Sequence, residues 1–169
     1  MVDIYAELAN LGIAYVRYDH APVFTCEEAD AAVLDPDAVQ TKNLFLRDKR
    51  GRRHVLLVTT CAKSVDINRF AEQIDADRLS FASPERMAKY LGVTPGSVTV
   101  LGLIADTANA VEVYVDADVW NSDKWRCHPM INSATLVLSR AGVETFLAHT
   151  KHVPRVLAIA TREDPGAAT

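Results

Sequence analysis

Two short apolar segments separated by a charged turn are the feature that most limits the fold of this chain. Residues 42–47 and 54–60 are rich in Leu, Val and Phe, and the sequence Asp48-Lys49-Arg50-Gly51-Arg52 lies between them. Gly51 can adopt the positive φ angle that a tight turn needs, and the flanking apolar segments favour strands. The pattern predicts a β-hairpin, and therefore a fold that contains antiparallel strand pairing.

Helix signals alternate with the predicted strands. The sequence Thr25-Cys26-Glu27-Glu28 fits a capping box for a helix that runs to Ala32, and Ser83-Pro84-Glu85 combines a cap, an N-terminal proline and an acid. Further helices are expected at residues 1–13, 67–74 and 139–150, and further strands at residues 98–104, 111–115 and 134–138. Because hairpin signals outweigh regular βαβ spacing, the fold class is predicted to be α+β with a mixed, largely antiparallel sheet.

The length of 169 residues fits one domain, predicted over residues 1–160 with residues 161–169 as a flexible tail. No stretch has the ~20 consecutive apolar residues of a membrane span, and the N-terminus does not resemble a signal peptide, so a cytoplasmic protein is expected. The three cysteines, Cys26, Cys61 and Cys127, have no CxxC spacing. We expect buried, inert thiols rather than a disulfide or a zinc site, with a nucleophilic Cys26 as the alternative.

Several classes of function have no support in the sequence. There is no Gly-rich phosphate loop and no HExxH motif, so neither a cofactor nor a metal ion is expected. His149 and His152 are expected at a solvated helix end. The net charge of −4 disfavours a protein that coats duplex DNA.

Four polar segments interrupt apolar stretches and are the candidates for a site: residues 20–25, 42–43, 92–97 and 128–132. Lys42 enters an apolar strand, where its ammonium must reach a pocket, a partner or water. It is therefore either a cation that orients a carbonyl or phosphate oxygen or a lysine that extends to solvent at a strand end. The Gly96-Ser97 turn can present N–H donors to an ester carbonyl, or it is simply a turn. His128 can serve as a base, a donor or a pocket wall, although a structural hydrogen bond is the more common role of a histidine.

Positive charge is concentrated around the predicted hairpin, although the protein as a whole is acidic. The residues are Lys42, Arg47, Lys49, Arg50, Arg52 and Arg53. A solvated turn explains such a loop, and so does a surface that holds the phosphates of an RNA end.

Four ordered segments together resemble one known family. They are YDHAPVFTCEEA (18–29), KNLFLRDKRGRRHVLLV (42–58), YLGVTPGSVTVLGL (90–103) and CHPMINSATLVLS (127–139). They resemble the YbaK/EbsC-type aminoacyl-tRNA deacylases, and in particular the free-standing editing domains associated with prolyl-tRNA synthetase. The resemblance implies a mixed, partly barrel-like sheet surrounded by helices, with the site in a crevice.

The resemblance also implies a function and a set of site residues. The expected substrate is the acceptor end of proline tRNA mischarged with alanine, with prolyl-tRNA synthetase as a further partner and with no membrane partner. Lys42 matches the lysine on which the family relies. The expected substrate-binding residues are Phe24, Thr25, Asn43, Gly96, Ser97, His128 and Asn132, and the expected tRNA-binding residues are Arg47, Lys49 and Arg50.

An aminoacyl ester is already activated, so the predicted mechanism needs only a placed water and a stabilised oxyanion. Lys42 and the N–H groups of the 96–97 turn are expected to stabilise the oxyanion. Two alternatives remain: a deacylase for another small residue, such as cysteine or serine, and a non-catalytic module of the same fold that binds tRNA or another nucleic acid.

Overall fold

The structure, a computed structural model, describes residues 2–33 and 35–162. The helices are α1 (Ile4–Asn10), α2 (Cys26–Ala32), α3 (Ile67–Gln73), α4 (Pro84–Leu91), α5 (Ala117–Trp120) and α6 (Arg140–Thr150), together with a 3₁₀ helix (Val100–Ala105). The strands are β1 (Tyr15–Asp19), β2 (Val39–Asp48), β3 (His54–Thr60), β4 (Leu79–Phe81), β5 (Val111–Asp116), β6 (Lys124–Cys127), β7 (Ala134–Ser139) and β8 (Arg155–Leu157).

All eight strands belong to one mixed sheet in the order β1-β7-β6-β2-β3-β5-β8, and β4 pairs with β2 outside this path. The pairs β1–β7, β6–β7, β2–β3 and β2–β4 are antiparallel. The pairs β2–β6, β3–β5 and β5–β8 are parallel. The α+β class with a mixed sheet is therefore confirmed, although parallel pairing is more extensive than predicted and the sheet is not a closed barrel.

The predicted hairpin is present as β2 and β3, which pair in register from Thr41 with Thr60 to Arg47 with His54. Gly51 has φ +68° at the turn. The carboxylate of Asp48 accepts hydrogen bonds from the backbone N–H groups of Arg52 and Arg53, at 2.7 and 3.0 Å. These hydrogen bonds, led by the one from Arg53, lower the pKa of Asp48. The turn is thus closed by its own first residue.

The edge of β2 that faces away from β3 is covered only at its two ends. β6 pairs with Val39 and Gln40, and β4 pairs with residues 46–48. Within the described residues no strand pairs with residues 41–45 on this side. The sheet therefore has an opening in its middle, on this side of the segment that contains Lys42.

One predicted strand is wrong, because residues 100–105 form the 3₁₀ helix. The hydroxyl of Thr99 accepts a hydrogen bond from the backbone N–H of Leu101 and begins this helix. Residues 100–103 are all buried, and a Cβ on Gly102 would lie 3.0 Å from the backbone oxygen of Leu91. A short apolar run that is buried on all sides has the same sequence pattern in a strand and in a helix.

The helix starts follow the predicted caps. The capping box of α2 has both of its hydrogen bonds, with Thr25 and Glu28 as partners. Ser83 caps α4, which ends at Gly92 in the left-handed conformation with φ +64°. Ser139 caps α6. Local sequence chemistry therefore sets the boundaries of these helices.

The chain returns to the sheet beyond β8. Thr161 forms a bridge with Val65, and the N–H of Arg162 donates to the backbone oxygen of Ser64 at 2.9 Å. The predicted tail therefore begins with two residues that pair with the domain, and its remainder, residues 163–169, lies outside the described residues. No helix within the described part of the chain is long and apolar enough to cross a membrane.

His152 is a correction to the expected solvated helix end. Its side chain is buried, and its Nε2 lies 2.9 Å from Oδ2 of Asp106, whose carboxylate also accepts the N–H groups of Ala110 and Val111. His149 is exposed as expected, at 3.9 Å from Glu7. His152 thus joins the end of α6 to the loop before β5.

Candidate functional site

A cavity of about 320 Å³ lies at the opening in the edge of β2. One wall consists of β2 residues 41–45, and the opposite wall comes from the segment that leads into α2. The complete lining is Val23, Phe24, Thr25, Cys26, Ala29, Thr41, Lys42, Asn43, Leu44, Phe45, Cys61, Phe81, Met87, Gly96, Val98 and His128. The four polar segments identified in the sequence thus converge on one cavity, whose lining contains no carboxylate.

Lys42 is the cation of this cavity. Its ammonium donates a hydrogen bond to the backbone oxygen of Lys63, and no carboxylate among the described residues forms an ion pair with it. Burial, and secondarily the positive charge of Arg162, lower the pKa of Lys42. An ammonium has three N–H donors, so two remain for a bound ester or phosphate oxygen.

The turn that accepts this hydrogen bond is held by a buried carboxylate. Asp116 is fully buried and accepts from the ammonium of Lys63 at 2.7 Å and from the hydroxyl of Thr59 at 2.6 Å. Lys63 also pairs with Asp118 at 2.8 Å. The side chain of Lys63 therefore fixes the position of its own backbone. The backbone oxygen of Lys63 in turn holds the ammonium of Lys42.

Cys26 and Cys61 form a disulfide in the wall of the cavity, with Cα atoms 5.9 Å apart. The expectation of three inert thiols is therefore wrong for two of them, and Cys26 is not a free nucleophile in this state. The pairing joins residues that are 35 positions apart in the sequence, and no spacing pattern reveals it. Cys127 fits the expectation: it is buried, and burial raises the pKa of its thiol to about 12.

Phe24 covers the turn at Gly96. The Phe24 side chain is 75% exposed, yet its ring lies 3.3 Å from the position that a Cβ on Gly96 would occupy. Gly96 has φ +88°, which disfavours any residue with a side chain. Asn132 supports this arrangement from behind, because Val23 donates its N–H to the Asn132 backbone oxygen at 3.1 Å. Phe24 and Gly96 thus close one side of the cavity.

Two predicted site residues lie behind the cavity wall rather than on it. Ser97 is buried, and its N–H already donates to the backbone oxygen of Thr94 at 3.0 Å. Asn132 donates its side-chain amide to the backbone oxygen of Val23 at 3.4 Å. The N–H of Ser97 is therefore not free to bind an oxyanion, and these two residues support the site.

His128 presents one ring nitrogen that has no hydrogen-bond partner among the described residues. Its Nδ1 lies 3.1 Å from the backbone oxygen of Ala134, which can only accept, so Nδ1 carries the proton and Nε2 is an acceptor in the neutral ring. Burial lowers the pKa of His128, with a smaller contribution from His20, so the neutral form is favoured. Both nitrogens of His20 are occupied, by Ala21 and Thr135 at 2.8 and 2.9 Å.

Asn43 directs its main chain into the opening. Gln40 bonds to Cys61 on the β3 side of β2, whereas Phe45 bonds to Ala82 on the other side. Because neighbouring residues of an antiparallel strand alternate between its two edges, Asn43 has the same orientation as Phe45. Its peptide N–H and C=O therefore face the uncovered edge. Sequence reasoning found the Asn43 side chain but not this main-chain donor.

The basic loop lies at the other end of β2. Six residues separate Lys42 from Asp48, which corresponds to about 20 Å of extended strand. Lys49, Arg50 and Arg52 are exposed and have no carboxylate partner among the described residues, whereas Arg53 is paired with Glu112 at 2.8 Å. Arg47 folds back onto the backbone oxygens of Asp48 and Lys49.

Helix α4 extends this positive surface. The guanidinium of Arg86 lies 2.7 Å from Nε2 of His54 and 3.4 Å from the backbone oxygen of Gly51, so it packs against the hairpin turn. Lys89, one turn further along α4, is exposed. We name Lys49, Arg50, Arg52, Arg86 and Lys89 the basic surface. Neither Arg86 nor Lys89 was identified from the sequence, because their proximity to the hairpin is created by the fold.

The described residues contain no group of three or more His, Cys, Asp or Glu side chains that could hold a metal ion. The chemistry that the cavity itself offers consists of a cation, main-chain donors and a neutral imidazole.

Comparison with known proteins agrees with this geometry. Residues 20–146 match the aminoacyl-tRNA editing domain. The chain belongs to the aminoacyl-tRNA editing domain family. The match spans every segment of the cavity lining, from Val23 to His128. The predictions of an editing domain and of an aminoacyl-tRNA hydrolase are therefore confirmed.

Individual relatives cover most of the chain. The prolyl-tRNA editing protein ProX of Acetoanaerobium sticklandii is 38% identical over 144 residues, which is 85% of this chain and 88% of that protein. The prolyl-tRNA synthetase associated domain-containing protein 1 of Danio rerio is 34% identical over 152 residues, 89% of this chain and 82% of that protein. A crystal structure described as a proposed trans-editing enzyme for prolyl-tRNA synthetase superposes with a TM-score of 0.71 at 18% identity, covering 94% and 95% of the two chains. This structural match supports the fold.

Substituting Gly96→Ala tests the contact between Phe24 and the turn. We expect the left-handed backbone to cost about 1–2 kcal/mol of unfolding free energy, and the new methyl group to displace the Phe24 ring and reduce deacylation. Gly12→Ala is the matched control, because Gly12 has φ +68° with nothing within 4 Å of the added Cβ. Chemical denaturation and single-turnover deacylation measure both effects. Equal activity of the two variants would contradict a role for this contact in the site.

Proposed function

We propose that the chain is a trans-editing deacylase that hydrolyses the ester of alanine mischarged on proline tRNA. The observation that carries this proposal is Lys42, a cation without a carboxylate partner among the described residues, in a cavity lined by residues from all four polar segments. The names of the two curated relatives support proline tRNA as the tRNA concerned, and the tRNA substrate follows from the family.

The proposed reaction is attack of water on the ester carbonyl. Negative charge develops on the carbonyl oxygen, and Lys42 stabilises it together with main-chain N–H donors. Two main-chain groups of the cavity lining are the proposed donors. They are the N–H of Asn43, at the uncovered edge of β2, and the N–H of Gly96. The N–H of Ser97 is excluded by its bond to Thr94. The donor set therefore differs in one member from that expected from the sequence.

Among the described residues no carboxylate lines the cavity where it could act as a general base. We propose that the neighbouring hydroxyl of the terminal ribose positions the water, so that the substrate supplies part of the catalytic apparatus. The acceptor nitrogen of neutral His128 and the side chain of Phe24 then bound the space for the amino acid. An ester that is already activated needs no covalent enzyme intermediate.

Substituting Lys42→Ala tests the catalytic assignment. We expect kcat on alanyl-tRNA(Pro) to fall about 100- to 1000-fold, because one oxyanion donor is removed. Lys124→Ala, which removes an exposed lysine paired with Asp35, is the matched control and should retain full activity. The denaturant midpoint of unfolding of both variants should equal that of the wild type. Full turnover by a folded Lys42→Ala protein would refute the mechanism and favour a module that only binds tRNA.

Substituting His128→Ala tests size selection. A pocket distinguishes amino acids by about 1–3 kcal/mol per methylene group, and enlarging this wall is expected to reduce the preference for alanyl over prolyl ester by about tenfold. The ratio of kcat/KM for the two charged forms of proline tRNA measures this preference. His149→Ala, an exposed histidine on α6, should leave the ratio unchanged. An unaltered ratio in His128→Ala would remove His128 from the specificity pocket.

We further propose that the basic surface contacts the phosphates of the tRNA. At about 20 Å from Lys42 along β2, it is placed for phosphates beyond the terminal nucleotide. Lys49 and Arg50 are the exposed members of the predicted tRNA-binding set, whereas Arg47 is partly engaged with its own turn. Prolyl-tRNA synthetase is the further partner that the resemblance implies.

Replacing Lys49 and Arg50 with alanine together should raise KM for charged tRNA and reduce the dependence of KM on salt, with little change in kcat. Each lost phosphate contact lowers the slope of log affinity against log salt by about one. Arg140→Ala, which removes a partly exposed arginine 3.8 Å from Glu144, controls for the general loss of positive charge. A salt slope equal to that of the wild type would show that the hairpin does not contact RNA.

One set of deacylation assays distinguishes the alternative substrates. Proline tRNA charged with alanine, cysteine, serine or proline is incubated with the protein, and ester loss is followed. The fastest hydrolysis is expected for the alanyl ester. Faster hydrolysis of a cysteinyl or seryl ester would reassign the substrate, whereas tight binding without hydrolysis of any ester would favour the binding module.

A further inference from the structure

Helix α2 forms part of the cavity but contributes no buried residue to the core. Most of its residues are exposed, so it gains little stability from apolar burial. Among the described residues its side-chain links to the rest of the domain are few. The side chain of Gln40 donates to the backbone oxygen of Cys26, Arg126 pairs with Asp30 at 2.8 Å, and Cys26 is bonded to Cys61.

The other end of the disulfide is firmly anchored. Cys61 directly follows β3, and its N–H donates to the backbone oxygen of Gln40 at 3.1 Å. Two residues later Lys63 is pinned by the buried carboxylate of Asp116 and accepts the hydrogen bond of Lys42. The disulfide therefore ties a weakly attached wall of the cavity to the rigid turn that positions its cation.

We propose that the Cys26–Cys61 disulfide is a positioning element of the editing cavity, which holds the Phe24–Thr25 wall against β2. This inference rests on the proposed function, because the cavity is taken to bind the aminoacyl end of tRNA. When the disulfide is cleaved, α2 keeps its hydrogen bond from Gln40 and its ion pair with Arg126, and Val23 keeps its hydrogen bonds with Asn132. The segment from Phe24 into α2 then loses its covalent link to the turn that positions Lys42. Lys42 itself keeps its anchor on Lys63.

Cleavage needs a dithiol reductant, such as dithiothreitol. One thiolate of the dithiol attacks a sulfur of the disulfide and forms a mixed disulfide, which the second thiol resolves. Two electrons and two protons pass to Cys26 and Cys61, which become thiols, and the dithiol becomes a disulfide. Both cysteines are partly exposed, so the reductant can reach them, whereas Cys127 is buried and remains a thiol in both states.

The two states should differ in binding and selection more than in chemistry. Reduction loosens the wall, so we expect KM for alanyl-tRNA(Pro) to rise about tenfold and the preference for alanyl over prolyl ester to fall. The value of kcat at saturation should change much less, since the cation stays in place. A disulfide with a purely global stabilising role would instead leave KM unchanged at temperatures well below unfolding.

The experiment compares the oxidised protein with the same protein treated with dithiothreitol. Thiol titration under denaturing conditions should find only Cys127 in the first and all three cysteines in the second. The variants Cys26→Ser and Cys61→Ser should each behave like the reduced wild type and should no longer respond to the reductant. Cys127→Ala is the matched control and should respond to the reductant as the wild type does.

Hydrogen exchange gives a readout that does not depend on activity. Amides of residues 26–32 should exchange faster in the reduced protein, whereas those of β2 and β3 should be unchanged. If oxidised protein hydrolyses no aminoacyl-tRNA, the proposed function fails, and the exchange experiment alone decides whether the disulfide holds α2. Equal KM in the oxidised and reduced enzymes, or equal exchange of α2 in the two states, would overturn the inference.

Discussion

The interrupted edge of β2 is the constraint on which the rest of the site depends. A strand in the middle of a sheet normally has its N–H and C=O groups satisfied on both sides. Here β6 and β4 cover the two ends of β2, the N–H of Ala82 caps the oxygen of Phe45, and residues 41–44 have no partner strand on this edge among the described residues. The opening provides main-chain donors for a ligand, and it gives Lys42 a place beside a cavity although its strand leads into the core.

Rigidity is distributed unequally around this opening. The cation is held through a series of two contacts, from Lys42 to the Lys63 carbonyl and from the Lys63 ammonium to buried Asp116. A buried carboxylate needs such partners, since an unpaired charge in the interior is strongly unfavourable. The facing wall is held at Val23 by its hydrogen bonds with Asn132, whereas helix α2 beyond it contributes no buried residue. The rigid part of the chain therefore places the reacting group, and a different, more adaptable part contacts the substrate.

Local signals in the sequence predicted local structure well. The caps at Thr25 and Ser83 and the turn at Gly51 depend on interactions between residues a few positions apart, so the sequence reveals them directly. The strands β1, β4, β6 and β8 and the short helix α5 were not predicted. The 3₁₀ helix was mistaken for a strand, because its burial comes from packing against α4 rather than from periodicity.

For the candidate site, too, some features follow from the sequence and others do not. Lys42, Phe24 and His128, which the resemblance implied as site residues, line one cavity in the structure. The resemblance did not indicate that the N–H of Ser97 is already used within its turn, or that Asn43 faces an uncovered edge. Above all, it missed the Cys26–Cys61 pair and the contribution of α4 to the basic surface. Each of these depends on contacts between residues that are distant in the sequence.

The position of Arg162 has a consequence for biosynthesis. Its charge contributes to the environment of Lys42, and its backbone N–H donates to the backbone oxygen of Ser64. Ribosomes synthesise the chain from its N-terminus, so the strand that carries Lys42 emerges long before Arg162. A nascent chain that already contains every residue of the cavity lining still lacks part of the electrostatic field around its lysine. The electrostatic environment of Lys42 is therefore complete only once the chain has been synthesised as far as Arg162.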